Sequence, residues 1–230
     1  MKVVQSWDDG VADDVRLTGL LRWHRAKATF NLNPGLCQPQ RSFGWGYGDK
    51  DVWRLGRDEL VEVYAGFEIA NHSLTHPNLP DLSSEALVRE VRDSRCLLQD
   101  WFQQSVGGFC YPFGGFSPAV KDAIQAAGHV YARTVAEVEP VFPPTDPLEL
   151  GVSCRFNDPA FWTRYQRARA ADGVFLFWGH SYELIGEEMW ADLEDKLARI
   201  SADPAAVWAT LENLFTDGRH PVPESYSSGS

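Results

Sequence analysis

The first residues here whose types and spacing could do chemistry are Asp8 and Asp9, adjacent carboxylates that close the apolar run 3–7 and precede Gly10. Two neighbouring acids repel, so they need a cation or a shared proton between them. Asp-Asp-Gly also reads as a plain helix-entry turn, so the doublet gains meaning only beside a partner. That partner is Asn71-His72-Ser73-Leu74-Thr75-His76, which follows a second apolar run, 67–70. The histidines are four apart, and one helical turn would put both imidazoles on one face, where they could share a metal ion. Together the two segments predict a site of two histidines and one aspartate.

Three further segments could complete such a site. Cys110-Tyr111-Pro112-Phe113-Gly114-Gly115 is a tight loop after a strand, and its exposed backbone amides could serve an oxyanion, although a plain turn reads equally well. Phe175-Leu176-Phe177-Trp178-Gly179-His180 ends an apolar strand in a histidine, which could act at the same mouth or simply cap and pack. Arg133, late in the segment 129–135, or Arg155 beyond a proline-rich stretch, could keep a carboxylate near the Asp pair ionised and oriented.

The elements that must position these residues alternate. Strands are expected at 3–7, 28–32, 67–70, 109–111, 129–135 and 174–178, and helices at 13–24, 57–64, 84–102, 118–127, 159–170 and 188–200. Ser83 is the N-cap expected for the 84–102 helix. Alternating β and α units with apolar strands imply a parallel sheet with outer helices, and the count favours a distorted (β/α)7-type barrel in a single α/β domain. In such folds the C-terminal strand ends carry the site, which is where the Asp doublet and the histidines fall. Two stretches are read as loops: the aromatic, glycine-rich residues 42–48, and 137–150 with its four prolines. The catalytic domain is expected over 1–222, with a disordered tail over 223–230.

Bulk composition narrows the partners. With 230 residues and 44% hydrophobic content, one sizeable core suffices. A formal net charge of -11 argues against nucleic acid or an anionic membrane. No leader or transmembrane segment is visible, so a cytoplasmic location is expected. The four cysteines form no C-x-x-C pair and read as reduced thiols. Nine tryptophans are many for this length, and some should line a groove.

In order, Ser6-Trp7-Asp8-Asp9-Gly10, Ala28-Thr29-Phe30, His72-Ser73-Leu74-Thr75-His76, Tyr111-Pro112-Phe113-Gly114 and a late strand ending in His180 resemble the polysaccharide deacetylases, carbohydrate esterase family 4, with their NodB-like homology domain. The likeness spans about four-fifths of the chain. It implies one divalent metal, zinc in the first place with cobalt, nickel or manganese as alternatives, on Asp9, His72 and His76. It further implies Asp8 as general base, His180 as general acid and the Phe113 amide as oxyanion donor. Tyr111 of the same loop and Trp45 of the aromatic stretch are expected beside the substrate. The reaction implied is removal of an acetyl group from an N-acetylated sugar or polysaccharide.

The sequence departs from that family at two places. Cys110 stands where an arginine often buttresses the base, and Arg133 is assigned that role instead. The family's Asp-Trp pattern associated with the late histidine is not visible after Tyr131. Two other readings compete: an amidohydrolase for a small non-sugar amide such as a cyclic imide or ureide, and a non-catalytic carbohydrate-binding barrel. Aromatic residues 43–53 could stack on sugar rings, or equally pack on the barrel.

Overall fold

A computed structural model describes residues 1–216. The tail expected over 223–230 lies outside the described residues.

The principal sheet is parallel and nearly closed. Its strands are β1 (Lys2–Asp8), β2 (Thr29–Leu32), then, after the separate hairpin of β3 (Ser42–Tyr47) and β4 (Lys50–Arg54), β5 (Glu68–Asn71), β6 (Gly108–Cys110), β7 (Tyr131–Glu137), β8 (Leu150–Val152), β9 (Cys154–Arg155), β10 (Val174–Gly179) and β11 (Val207–Ala209). They lie in the order β8-β7-β6-β5-β2-β1-β10-β9, with β11 on the first half of β1. Only Ser153 separates β8 from β9, and it bonds Leu176 through both its amide and its hydroxyl, so one short segment joins the two ends of the sheet. The expected single-domain α/β barrel is the observed one.

Helices α1 (Asp14–Trp23), α2 (Arg57–Val63), α3 (Ser84–Val88), α4 (Ser94–Phe102), α5 (Pro118–Ala126), α6 (Phe161–Ala170), α7 (Gly186–Ala202) and α8 (Asn213–Thr216) surround it. None is long and apolar enough to cross a membrane among the described residues. Ser83 caps α3 by accepting from the Ala86 amide at 3.3 Å. The helix expected over 84–102 is continuous and contains a π turn, Arg89–Asp93, between α3 and α4. Such turns often mark functional segments, and here Glu90 takes both the Thr75 amide and hydroxyl of the histidine loop.

Side-chain alternation explains how the barrel aims its residues. Val3 and Trp7 pack outward with the α1 residues Leu17 and Leu21, whereas Val4 packs inward with Tyr131, Leu176 and Trp178. With a period of two, the inward set of β1 continues through Ser6 to Asp8, that of β10 through Trp178 to His180, and that of β7 from Tyr131 to Arg133. At Gly108 any Cβ would meet the Tyr131 hydroxyl oxygen at 2.1 Å, so glycine there makes room for the tyrosine inside the barrel. The residues 42–48, expected as a loop, instead form the β3–β4 hairpin with Phe43 edge-on to Trp53. Glycines at alternate positions hid its strand pattern.

Candidate active site at the barrel mouth

Asp8 ends β1, and the chain then turns through two residues in the left-handed region, Asp9 (φ 83°) and Gly10 (φ 67°). The turn points the two carboxylates differently. Asp9 Oδ1 lies 3.9 Å from His72 Nε2 and 3.7 Å from His76 Nε2. Asp8 points into the barrel, where Arg133 Nη2 is 2.5 Å from both of its oxygens and Asn31 donates to Oδ1 at 2.7 Å.

The histidines do not share a helical turn, as their spacing suggested. They sit in a loop after β5, bent by positive φ at Ser73 (65°) and His76 (60°). The Ser73 hydroxyl accepts from the His76 amide at 3.0 Å, and this local bond competes with helix. Asparagines fasten the loop: Asn33 donates to the His72 carbonyl, and Asn71 Oδ1 accepts from the Ser73 amide and the Ser94 hydroxyl. The imidazoles still meet, with ring centroids 4.7 Å apart.

His72 Nδ1 is 2.8 Å from the Cys110 carbonyl, which can only accept, so Nδ1 carries the proton and Nε2 presents a lone pair to the mouth. Burial, with His76 adding to it against Asp8 and Asp9, pulls the His72 pKa down to about 4, which leaves it neutral near pH 7. Three donors each about 2 Å from one ion sit roughly 3–3.5 Å apart. The ligand atoms of Asp9, His72 and His76 lie within 4.8 Å of one another, so this set fits a divalent ion with small side-chain adjustments.

Burial alone would raise the Asp8 pKa, but Arg133, with His72 and His180 further off, holds it at about 2. Cys110 and Arg133 are register partners on β6 and β7, and Arg133 Nη2 passes 2.7 Å from Cys110 Sγ. The Arg133 guanidinium also lies 4.9 Å from the Trp178 ring centroid, and Arg155 lies 4.8 Å from the same ring.

His180 Nε2 faces the carboxylates, 3.9 Å from Asp8 and 3.8 Å from Asp9. Its Nδ1 lies 3.3 Å from Glu183 Oε1, an ion-pair contact without the alignment of a hydrogen bond. Burial opposes the charged imidazole, yet Glu183 and then the two aspartates raise its pKa. Glu183 is paired in turn with Arg155. Sequence reading missed Glu183, whose only signal was its place three residues after His180.

Phe113 has φ 57° and lies edge-on to His76 at 4.6 Å, and its amide donates no hydrogen bond among the described residues. Gly114 (φ 75°) completes the turn, where a Cβ would strike Val135 at 2.4 Å. Tyr111 is placed otherwise than expected: its ring is buried and its hydroxyl donates to the Leu148 carbonyl at 2.8 Å, so its side chain serves the core. Trp45 is half-buried in the hairpin, with the Arg54 guanidinium 4.8 Å from its ring and Tyr182 perpendicular at 5.1 Å.

A parallel α/β barrel with an Asp–His–His cluster and a buried Asp–Arg pair at its strand ends defines a class of barrel with a candidate hydrolytic metal centre. Residues 1–132 match the family described as polysaccharide deacetylase, and the chain belongs to that family. Among solved structures it is similar to the Streptococcus pyogenes deacetylase PplD in complex with acetate, with 22% identity over 64% of this chain and 61% of that one and a TM-score of 0.54. It is also similar to the Bc1960 peptidoglycan N-acetylglucosamine deacetylase, with 15% identity over 96% of this chain and 90% of that one and a TM-score of 0.60. A family 4 carbohydrate esterase from Streptomyces lividans shares 16% identity over 89% of this chain and 90% of that one, with a TM-score of 0.56. At these identities the likeness shows the fold. The chain spans 61% of the length of PplD and 44% of a Bacillus cereus polysaccharide deacetylase, BC0361. Comparison with curated proteins found no match.

Proposed function

We propose that the chain is a metal-dependent deacetylase that hydrolyses the acetyl amide of an N-acetylated carbohydrate. The observation that carries this reading is the convergence of Asp9, His72 and His76 on one point, with Asp8 and His180 beside it. A divalent ion bound there, zinc in the first place, acidifies a water and polarises a carbonyl.

The chain's own groups divide the remaining work. Asp8, ionised at neutral pH through Arg133, takes the proton of the attacking water. His180 stands across the same space and protonates the departing nitrogen, which leaves poorly as an anion. Glu183 holds the imidazole with Nε2 toward the carboxylates. The Phe113 amide, turned out by its left-handed backbone, donates to the oxygen that gains charge.

The test has two parts. Metal analysis of the purified chain should give about one divalent ion per molecule. Acetate release should then be seen with N-acetylated sugars and oligosaccharides. Turnover of cyclic imides or ureides alone would replace the sugar reading with the amidohydrolase one, and a chain that binds no divalent ion would overturn the metal site.

A further inference from the structure

The β3–β4 hairpin brings a cation to the mouth that the proposed chemistry does not use. Arg54, the last residue of β4, is half-buried and donates from Nη1 to the Asp9 carbonyl at 3.3 Å. Its neighbours on the hairpin side are paired, Arg41 with Glu59 and Lys50 with Asp13, whereas Arg54 has no carboxylate at ion-pair distance among the described residues. None of its nitrogens is sealed from solvent without a partner among the described residues, so the N–H groups not spent on Asp9 keep access to solvent.

The position of this guanidinium is braced. It lies against the Trp45 ring, Trp45 meets Tyr182 edge-on at 5.1 Å, and Tyr47 meets Tyr182 at 5.1 Å. Tyr182 in turn leans on His180 at 4.9 Å with 31° between the planes. The stack therefore runs from Arg54 to the imidazole proposed as the acid. Arg54 also touches the backbone of Asp9, whose carboxylate is 3.8 Å from His180 Nε2, so the guanidinium borders the space beside the proposed metal ligand and acid. A planar fork of free N–H donors held by packing suits the two oxygens of a carboxylate or phosphate. A chain of net charge -11 repels anions at long range, so selection here must come from contact.

We infer that Arg54 is a specificity residue that selects N-acylated sugars carrying an anionic group, a carboxylate or a phosphate, close to the acylated nitrogen. The sugar part rests on the deacetylase reading; the anion part rests on Arg54 alone.

Calorimetric binding separates the two. The chain as purified is titrated with N-acetylglucosamine, N-acetylmuramic acid and N-acetylglucosamine 1-phosphate, whose anionic groups sit on the carbons flanking the acylated nitrogen's own, and Arg54→Gln controls for attraction by any bound cation. The anionic sugars should bind about tenfold tighter than the neutral one, the scale of charge-assisted hydrogen bonding. The ranking of the two anions identifies carboxylate or phosphate as the group recognised. Arg54→Gln should bring the three within about twofold, and Arg54→Lys, which keeps charge without the fork, should retain part of the preference. Equal binding of the three sugars by the wild type, no binding of any, or a preference that survives Arg54→Gln would overturn the inference. Binding preference without acetate release from any sugar would leave the anion site standing and sink the deacetylase reading.

Discussion

Arg133 reaches Asp8 from the strand beside the one that sequence comparison pointed to: its Nη2 is 2.5 Å from both Asp8 oxygens, and it sits in register with Cys110. The small thiol leaves the volume through which the arginine passes. Arg133 also rests on Trp178, whose ring meets Arg155, the partner of Glu183. The groups holding the proposed base and those holding the proposed acid thus share one indole.

Removing the cation should hurt both turnover and folding. Arg133→Ala leaves Asp8 buried with Asn31 and the longer Cys110 thiol contacts as its remaining donors, and breaking a buried pair costs about 3–5 kcal/mol. Activity should fall by about a hundredfold or more. Arg133→Lys should recover less than half of the lost stability, since one ammonium cannot reproduce the fork. The double variant Cys110→Arg with Arg133→Ala should regain activity over Arg133→Ala, because the two positions are neighbours across the ladder. Wild-type rates in Arg133→Ala would remove its role altogether.

The metal triad and the base should separate experimentally. Zinc at a hundred times its dissociation constant should stabilise the wild type by about 3 kcal/mol, read as a rise in melting temperature. Asp9→Ala, His72→Ala and His76→Ala should each lose most of that rise. Asp8→Asn should keep the rise and lose turnover. An Asp8→Asn protein as active as the wild type would hand the base role to another residue.

How far the site could be read in advance follows from what each feature leaves in a sequence. Strand ends were legible because the runs before Asp8, His72 and His180 are apolar and buried. The hairpin was not, because Gly44, Gly46 and Gly48 interrupt the alternation that signals a strand. The short strands β8 and β9 lie past four prolines and carry too few residues for any period to show. The histidine loop was misread as helix since spacing reports only distance along the chain, and the Ser73 and Asn71 bonds that bend it are local polar contacts. Asn31 and Asn33 were overlooked because isolated asparagines near strand ends resemble turn residues until their partners are known.

Glu183 should matter through His180. Its side chain is buried between the imidazole and Arg155, so Glu183→Gln keeps the shape and removes the charge. The rate at saturating substrate should drop by about tenfold or more while KM changes little, because the residue touches the acid and not the substrate. Glu183→Asp should recover part of the rate. A change confined to KM would place Glu183 at the substrate instead.

Asp14 should make stability fall as pH rises. It is buried at the start of α1, accepts from Tyr64 and Ser181 hydroxyls at 2.6 Å each, and takes the Val11 amide at 3.3 Å. Burial raises its pKa from 3.8 to about 7, against the lowering effect of those hydrogen bonds. An acid whose folded pKa is raised binds its proton more tightly when folded. Its favourable contribution is complete below about pH 4 and is lost progressively as pH rises through 7, with a total on the order of 4 kcal/mol. Asp14→Asn removes the titration while keeping an acceptor and a donor in place. Thermal unfolding at pH 5 and pH 8.5 should therefore show the wild type losing more stability between the two conditions than the variant. Parallel stability profiles for wild type and Asp14→Asn would sink this account of the buried carboxyl.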